Sequence, residues 1–270
     1  MKISTDYNIQ NNNISYKAGM TRAVISEIKS TDCSKVEKLF AKKGINSDFD
    51  GNKIVAWSTL KVSELLTKLQ KSFGVKFDFP ANIIVESFSK YKKINPDRNV
   101  AGFTNFLPVK LKDDESIVPP MTIFFNQDFP WRYIDGLSDL SFKDKDTVTD
   151  NFLEPFIHEF GHIIHEGNLL RKLPVNDVPK TVDLFSQNKI PEKYANTVKE
   201  ETCSYAASNF LELIACDICK RFLSGLDSNL EIKRNLFSAS PYDRFYKYKT
   251  VFDKQNPYDK LVLNTYNGIV

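Results

Sequence analysis

The stretch FIHEFGHIIHE, residues 156–166, is the feature around which this chain is organised. It contains the pattern His-Glu-x-x-His, formed by His158, Glu159 and His162. Residues four apart on an α-helix lie on one face, about 6 Å apart along the axis. Two imidazole rings at that spacing can reach a single metal ion. Glu159 points to one side, toward the place where a metal-bound water would meet a substrate.

The histidine distribution supports a metal site rather than coincidence. The chain has only 3 histidines in 270 residues, and all of them lie between positions 158 and 165. Histidines scattered over a core or a surface would not cluster in this way. We therefore predict a metal-binding helix, with a chance match to the pattern as the alternative.

Composition indicates an ordinary soluble globular protein. Hydrophobic residues make up 41% and charged residues 26% of the chain. The 37 basic and 34 acidic residues give a net charge of +3, so nothing indicates binding to nucleic acid or to a membrane surface. The length suits one sizeable domain, and the oligomeric state is left open.

The compartment follows from what the sequence lacks. The first twenty residues are polar and rich in asparagine, unlike a cleavable signal peptide. No stretch approaches the roughly 20 apolar residues of a membrane span. Four cysteines are too few and too unevenly placed for a disulfide framework. We expect a cytoplasmic protein by default, with secretion that needs no signal peptide as the alternative.

The first third of the chain predicts a polar lead followed by short elements. Residues 1–30 are expected to be flexible. Residues 33–43 are expected to form a helix capped by Thr31-Asp32 and ended by Gly44. Residues 53–57 favour a short strand, and residues 62–73 a helix with one apolar face.

The middle of the chain predicts strands. They cover residues 83–88, 103–111 and 121–125, and Pro108 assigns the second of them to a sheet edge. Residues 129–149 are expected to be a loop.

Helices dominate the second half. The metal motif is expected on a helix from about Asp150 to Leu169, ended by Gly167 and Asn168. Residues 173–197 favour a loop or a short helical excursion. A second strong helix is expected from about Ser208 to Leu223.

The third metal ligand cannot be His165. It lies a further turn along the helix, about 4.5 Å past His162, so one ion cannot reach all three rings of an unbroken helix. The metzincin solution needs a glycine and then a histidine after the motif. Those two positions hold His165 and Asn168, so the metzincin arrangement is excluded.

A carboxylate on another element is the remaining choice. Glu212 lies in the apolar sequence FLELIA, where an unpaired carboxylate is rare. Its alternative role is that of a capping-box glutamate, which would bond to the backbone amide of Asn209 at the start of the helix. The other downstream candidates are Glu192, Glu200, Glu201 and Asp217.

The sequence YAASNFLELIA, residues 205–215, follows the first motif by some fifty residues. This pair of motifs resembles the zinc-binding helices of anthrax lethal factor-like metallopeptidases, which are gluzincins of the zincin fold. The resemblance covers roughly residues 83–223. It implies an α+β fold: a zincin-like domain with a small twisted mixed sheet, a helix that carries the active site and a second helix that carries the third ligand.

The resemblance also implies a role for each matching residue. His158, His162 and Glu212 would bind one zinc ion, Glu159 would be the general base, and Tyr205 would stabilise the oxyanion. The implied function is a zinc-dependent endopeptidase that acts on a peptide or protein substrate.

Four segments are expected along the chain. Residues 1–30 would be the lead, and residues 31–80 would pack on the catalytic domain. The catalytic domain would span residues 81–226, and residues 227–270 would be a C-terminal extension.

One position departs from the family. Its members commonly have an acid four residues after the third ligand, where it orients the first histidine, but this chain has Cys216 there and Asp217 next to it. Either Asp217 contacts His158 in place of that acid, or another group orients the histidine. Glu166, one turn beyond His162, is a further carboxylate that could do so. Cys216 and Cys219 form a Cys-x-x-Cys pattern that favours two buried core cysteines over a redox or metal pair.

Two other functions stay open. A regulatory peptidase of the ImmA/IrrE kind would share the chemistry, although its carboxylate ligand usually follows the motif much sooner. A zinc-stabilised binding module without turnover is a different class, suggested by the altered position at Cys216.

Overall fold

The computed structural model describes residues 20–73, 77–90, 100–105, 109–110, 117–118, 121–224 and 256–269. Within these residues the chain has nine α-helices and a mixed four-stranded sheet, which confirms the predicted α+β class. None of the helices described has the length and apolar character needed to cross a bilayer.

The N-terminal part begins with two capped helices. Helix α1, Arg22–Ser30, starts after Thr21, whose side chain accepts a hydrogen bond from the Val24 amide. Helix α2, Cys33–Ala41, starts after Asp32, as predicted. The expectation of a flexible lead was wrong for the residues of α1, because the helix buries Ile28 against the core. Residues 1–19 lie outside the described residues.

A short strand and a long helix follow. Strand β1 is Asn46–Asp48, and helix α3 is Lys53–Phe73. The predicted strand at residues 53–57 was therefore wrong, since these residues form the first turns of α3. An apolar run such as Ile54-Val55-Ala56-Trp57 does not by itself distinguish a buried strand from a buried helix. The Asn52 side chain favours the helix, because it accepts a hydrogen bond from the Val55 amide in the first turn at 3.1 Å.

The sheet consists of β1 and three further strands. They are β2, Asn82–Glu86, β3, Gly102–Asn105, and β6, Thr122–Asn126. The order is β1-β2-β6-β3, in which β3 alone runs antiparallel and lies at one edge. The three predicted strands are confirmed in part, because the second divides into β3 and the separate strand β4, Val109–Lys110. Strand β4 pairs with β5, Ile117–Val118, and Pro108 lies outside the described residues.

Alternating side chains of β6 cover both faces of the sheet. Phe125 packs against Phe156 with ring centroids 5.0 Å apart, which attaches the sheet to the helix that carries the motif. Phe124 points the other way and stacks on Phe103 at 4.6 Å. This burial on both faces explains why Ile123, Phe124 and Phe125, at the centre of β6, are all apolar.

A helix replaces the loop expected at residues 129–149. Helix α4, Ile134–Lys143, follows a 3-10 turn at Trp131–Tyr133. Trp131 is buried against Phe125 and Phe129, and its indole nitrogen donates to the Asn126 carbonyl at 2.8 Å. The prediction failed because tertiary packing of this aromatic group, rather than local propensity, fixes the segment.

The motif lies on helix α5, Glu154–Lys172, with Pro155 in its first turn. The predicted end at Gly167 and Asn168 was wrong, since the helix continues for another turn. Asn168 is buried and donates from Nδ2 to the Tyr266 carbonyl at 2.6 Å, so a tertiary contact stabilises the helix where the sequence favours a stop.

Four more helices complete the described chain. They are α6, Val178–Gln187, α7, Glu192–Glu201, α8, Phe210–Ser224, and α9, Pro257–Tyr266. The second helix predicted from the sequence is thus confirmed as α8, while the loop or short excursion expected at residues 173–197 contains two helices. One hydrophobic core extends from Ile28 to Tyr266, so α9 packs with the helices that carry the motifs.

His165 is part of this core. Its ring stacks between Phe185 and Tyr266, and its Nε2 atom lies 3.2 Å from the Thr265 carbonyl. Among the described residues its Nδ1 atom has no hydrogen-bond partner. Burial lowers the pKa of His165 to about 3, because a second ring proton would have no acceptor.

We predict that His165 destabilises the metal-free fold in mild acid. Between its ordinary pKa near 6.5 and its folded value near 3, the unfolded chain binds a proton that the folded chain does not. The free energy of unfolding should therefore fall as the pH falls, by roughly 1.4 kcal/mol per unit. Urea unfolding at pH 7 and pH 5 should show that wild type loses about 2 kcal/mol more than His165→Gln. Equal losses in the two proteins would contradict this assignment.

Candidate metal centre

Helix α5 presents His158 and His162 one turn apart. The two rings are nearly perpendicular, with centroids 4.8 Å apart. Their Nε2 atoms lie 3.1 Å apart and point to one place. The histidines of the motif therefore meet as the sequence predicts.

Helix α8 adds Glu212 to this pair. Oε2 of Glu212 lies 2.9 Å from Nε2 of His158 and 3.5 Å from Nε2 of His162. Asn209 caps the helix by accepting from the Leu211 and Glu212 amides. The capping-box alternative is thus half fulfilled: Asn209 caps, but the Glu212 carboxylate turns to the histidines.

A close approach of the two helices brings these groups together. A Cβ added to Gly161 would lie 3.2 Å from the Cα atom of Ala215, tighter than most real contacts. Glycine and alanine at this crossing allow the backbones of α5 and α8 to come near each other. The glycine inside the motif therefore has a packing role in assembling the site.

The protonation states suit metal binding. Burial lowers the pKa of His158, although the neighbouring Glu212 acts in the opposite direction. Burial alone would raise the pKa of Glu212, but the adjacent imidazoles of His162 and His158 outweigh it and hold the value well below its usual range. Both directions favour the forms that bind metals, a neutral imidazole and a carboxylate anion.

The distances fit a single ion. Ligand atoms about 2.0–2.2 Å from a tetrahedral zinc ion are about 3.3–3.5 Å from one another. The three atoms of His158, His162 and Glu212 are separated by 3.1, 2.9 and 3.5 Å. They form the one such cluster of histidine, cysteine and acidic groups found in the described part of the chain.

Glu159 lies beside the cluster and is held by the edge strand. Its carboxylate oxygen Oε2 accepts a hydrogen bond from Oγ1 of Thr104 at 2.8 Å. Its charge raises the pKa of both His158 and Tyr205.

Tyr205 also lies close to the cluster. It begins a 3-10 turn, Tyr205–Ala207, immediately before α8, and its ring centroid is 5.8 Å from that of His158. Burial raises the pKa of Tyr205 well above its usual value, and the charges of Glu212, Cys216 and Glu159 add to the effect. The phenol is therefore protonated and able to donate a hydrogen bond at neutral pH.

Cys216 occupies the place beside the first histidine. Its Sγ atom lies 3.9 Å from Nδ1 of His158 and 3.7 Å from Sγ of Cys203. Asp217 instead accepts from the Tyr258 hydroxyl at 2.7 Å. Of the two possibilities that the sequence left open, the structure supports a site held differently, with a thiol against the ring.

The Cys-x-x-Cys pattern belongs to the core. Cys216 and Cys219 are both buried and both free. Cys219 donates from its thiol to the Glu154 carbonyl at 3.7 Å. The preferred interpretation of two core cysteines is confirmed.

The remaining acidic candidates lie away from the cluster. Glu192, Glu200 and Glu201 are exposed on α7. Glu166 is buried one turn beyond His162, and burial raises its pKa to about 8. Its Oε2 atom has no hydrogen-bond partner among the described residues, so no contact supports its suggested second role at the site.

Sequence reasoning missed three residues of the site. Thr104 and Cys203 carry no local signal, because each becomes relevant only through a contact made in the folded chain. Gly161 offered a signal, since a glycine within an apolar helix often marks a close backbone approach.

The chain matches no protein-family model, no curated protein and no solved structure in the comparisons that were made. Its function is therefore inferred from the chemistry of the candidate metal centre.

We predict that Glu212 is essential for metal affinity. With zinc as the probe ion, competition against a fluorescent chelator should give one tight site in the wild-type protein. Glu212→Gln removes the anionic ligand and should weaken binding by at least about 100-fold, more than the loss of a typical outer partner. Glu200→Gln, an exposed carboxylate on α7, is the matched control and should bind as wild type does. Equal affinities in all three proteins would exclude Glu212 as a ligand.

Proposed function

We propose that this protein is a zinc-dependent endopeptidase similar to the anthrax lethal factor-like gluzincins. The observation that carries the proposal is the convergence of His158, His162 and Glu212, with Glu159 beside them. Two imidazoles and one carboxylate form a ligand set typical of catalytic zinc sites. The mixed sheet, the helix with the motif and the helix with the third ligand support a zincin-like fold.

The residues divide the proposed chemistry among them. A bound zinc ion would supply Lewis acidity and a water of lowered pKa. Glu159 would accept a proton at its carboxylate and later return it to the leaving amine. Thr104 donates a hydrogen bond to this carboxylate.

Tyr205 would stabilise the oxyanion. The phenol keeps its proton at neutral pH because burial and the neighbouring negative charges raise its pKa. A donor aimed at a developing oxyanion contributes about 3 kcal/mol to transition-state stabilisation. Its ring lies 5.8 Å from the His158 ring, centroid to centroid, so the phenol is close to the candidate metal ligands.

The edge of the sheet suits a peptide substrate. Strand β3 lies at one edge of the sheet that the described residues form, in the order β1-β2-β6-β3. An extended peptide can add to such an edge through main-chain hydrogen bonds. Because Thr104 of β3 contacts Glu159, a peptide bound there would lie close to the proposed base.

The spacing of the ligands favours this family over a regulatory peptidase of the ImmA/IrrE kind. Glu212 follows His158 by 54 residues and comes from a separate helix after two others. A carboxylate ligand that follows the motif much sooner is the usual arrangement in the regulatory enzymes. We therefore propose the lethal factor-like arrangement of ligands for this protein.

A zinc-stabilised module without turnover is the second candidate. The thiol of Cys216 at 3.9 Å from His158 favours it, since a thiol is a weaker partner than the acid common in the peptidases. The same site nevertheless includes a buried Glu159 and a protonated Tyr205, which a purely structural zinc does not need.

We predict that Glu159→Gln strongly reduces peptide cleavage without loss of zinc. Zinc-loaded wild type and variant should be compared on a proteome-derived peptide library with mass-spectrometric detection. The loss of the base should reduce cleavage by about 10²–10⁴-fold, with zinc content unchanged.

Equal cleavage by the two proteins would refute a role for Glu159. If neither protein cleaves and removal of zinc by a chelator unfolds the domain, the zinc is structural and the binding-module candidate is correct.

A further inference from the structure

We propose that Thr104 is a positioning residue that fixes the carboxylate of Glu159 for proton transfer. This inference rests on the proposed peptidase function, which it extends to a residue of the edge strand. Neither the His-Glu-x-x-His motif nor the helix of Glu212 includes this position.

The geometry begins with the pleat of β3. Residues two apart on a strand point to the same face, so Gly102 and Thr104 both face helix α5. A Cβ added to Gly102 would lie 3.3 Å from Cγ of Glu159 and 2.9 Å from the Phe124 carbonyl oxygen. The missing side chain of Gly102 therefore leaves room for the stem of Glu159.

Thr104 holds the other end of the same side chain. Its Oγ1 atom lies 2.8 Å from Oε2 of Glu159 and 3.1 Å from the Glu159 backbone carbonyl oxygen. A hydroxyl has one proton to donate, so the charged carboxylate, at the shorter distance, is the stronger acceptor. Gly102 thus provides space for the methylene groups and Thr104 orients the carboxylate.

This arrangement matters because glutamate is flexible. An unrestrained glutamate samples several rotamers, and proton transfer requires the base within hydrogen-bond reach of its target. Threonine is itself stiff at χ1, so a threonine hydroxyl on a paired strand is a rigid donor. Register pairs Thr104 with Ile123 of β6, which fixes the donor to the sheet.

The location of Thr104 also connects the base to substrate binding. Strand β3 is where an extended peptide would add, and it contacts α5 through the residues just described. The peptide and the base would therefore be positioned by one rigid element. A merely structural contact between strand and helix would affect stability but would not selectively affect turnover.

The test compares Thr104→Val with Thr104→Ser. Valine keeps the shape and the strand preference but removes the donor, whereas serine keeps the hydroxyl. For zinc-loaded proteins on one cleaved peptide, Thr104→Val should lower kcat by about 10–100-fold with KM within about threefold, because orientation rather than binding is lost. Thr104→Ser should stay within about threefold of the wild-type kcat. Zinc affinity should be unchanged in both.

A second readout does not depend on activity. Crystal structures of the zinc-loaded proteins should show the Glu159 carboxylate in one rotamer in wild type and Thr104→Ser. In Thr104→Val it should be displaced or divided among rotamers, and Thr104→Ala provides the same comparison if the valine variant does not fold.

The outcomes separate the two proposals. If wild type cleaves peptides and Thr104→Val matches it in kcat and in the position of Glu159, the positioning role is refuted and the peptidase stands. If wild type and Glu159→Gln are both inactive, the peptidase proposal fails. The role of Thr104 in proton transfer then fails with it, whatever the Glu159 rotamer in Thr104→Val.

Discussion

The crossing of helices α5 and α8 is the constraint on which the candidate metal centre depends. Gly161 and Ala215 let the two backbones approach so closely that a Cβ added at position 161 would lie only 3.2 Å from the Cα atom of Ala215. This close approach allows His158 and His162 of α5 to contact Glu212 of α8. The sheet also holds helix α5 in place, since Phe125 of β6 packs on Phe156 of α5.

Burial explains why these polar groups act together. Two buried imidazoles and a largely buried carboxylate are costly unless each finds a partner, and here they find one another. The same burial keeps Tyr205 protonated and makes the hydrogen bond of Thr104 to Glu159 more effective than it would be in water. Cys216 adds little charge to this arrangement, so the orientation of His158 depends more on packing than on an ion pair.

The sequence predicted the parts of the site that depend on local spacing. The helix with the motif, the exclusion of His165 and the choice of Glu212 all came from periodicity, from the reach of a helix or from a resemblance carried by short motifs. Elements set by tertiary contacts were misread: residues 53–57 joined a helix, and α5 continued through Gly167 because Asn168 bonds to the chain at Tyr266. The sequence did not predict the role of Thr104, because its partner Glu159 is 55 residues away and the two meet only in the folded chain.

The central claim is that one metal ion binds between α5 and α8. Crystals of the zinc-loaded protein, measured at the zinc absorption edge, test it most directly. If one zinc ion binds there, a single strong anomalous peak is expected about 2.0–2.2 Å from Nε2 of His158, Nε2 of His162 and Oε2 of Glu212. A peak bound by other residues, or a Glu212 carboxylate turned away from the ion, would contradict it.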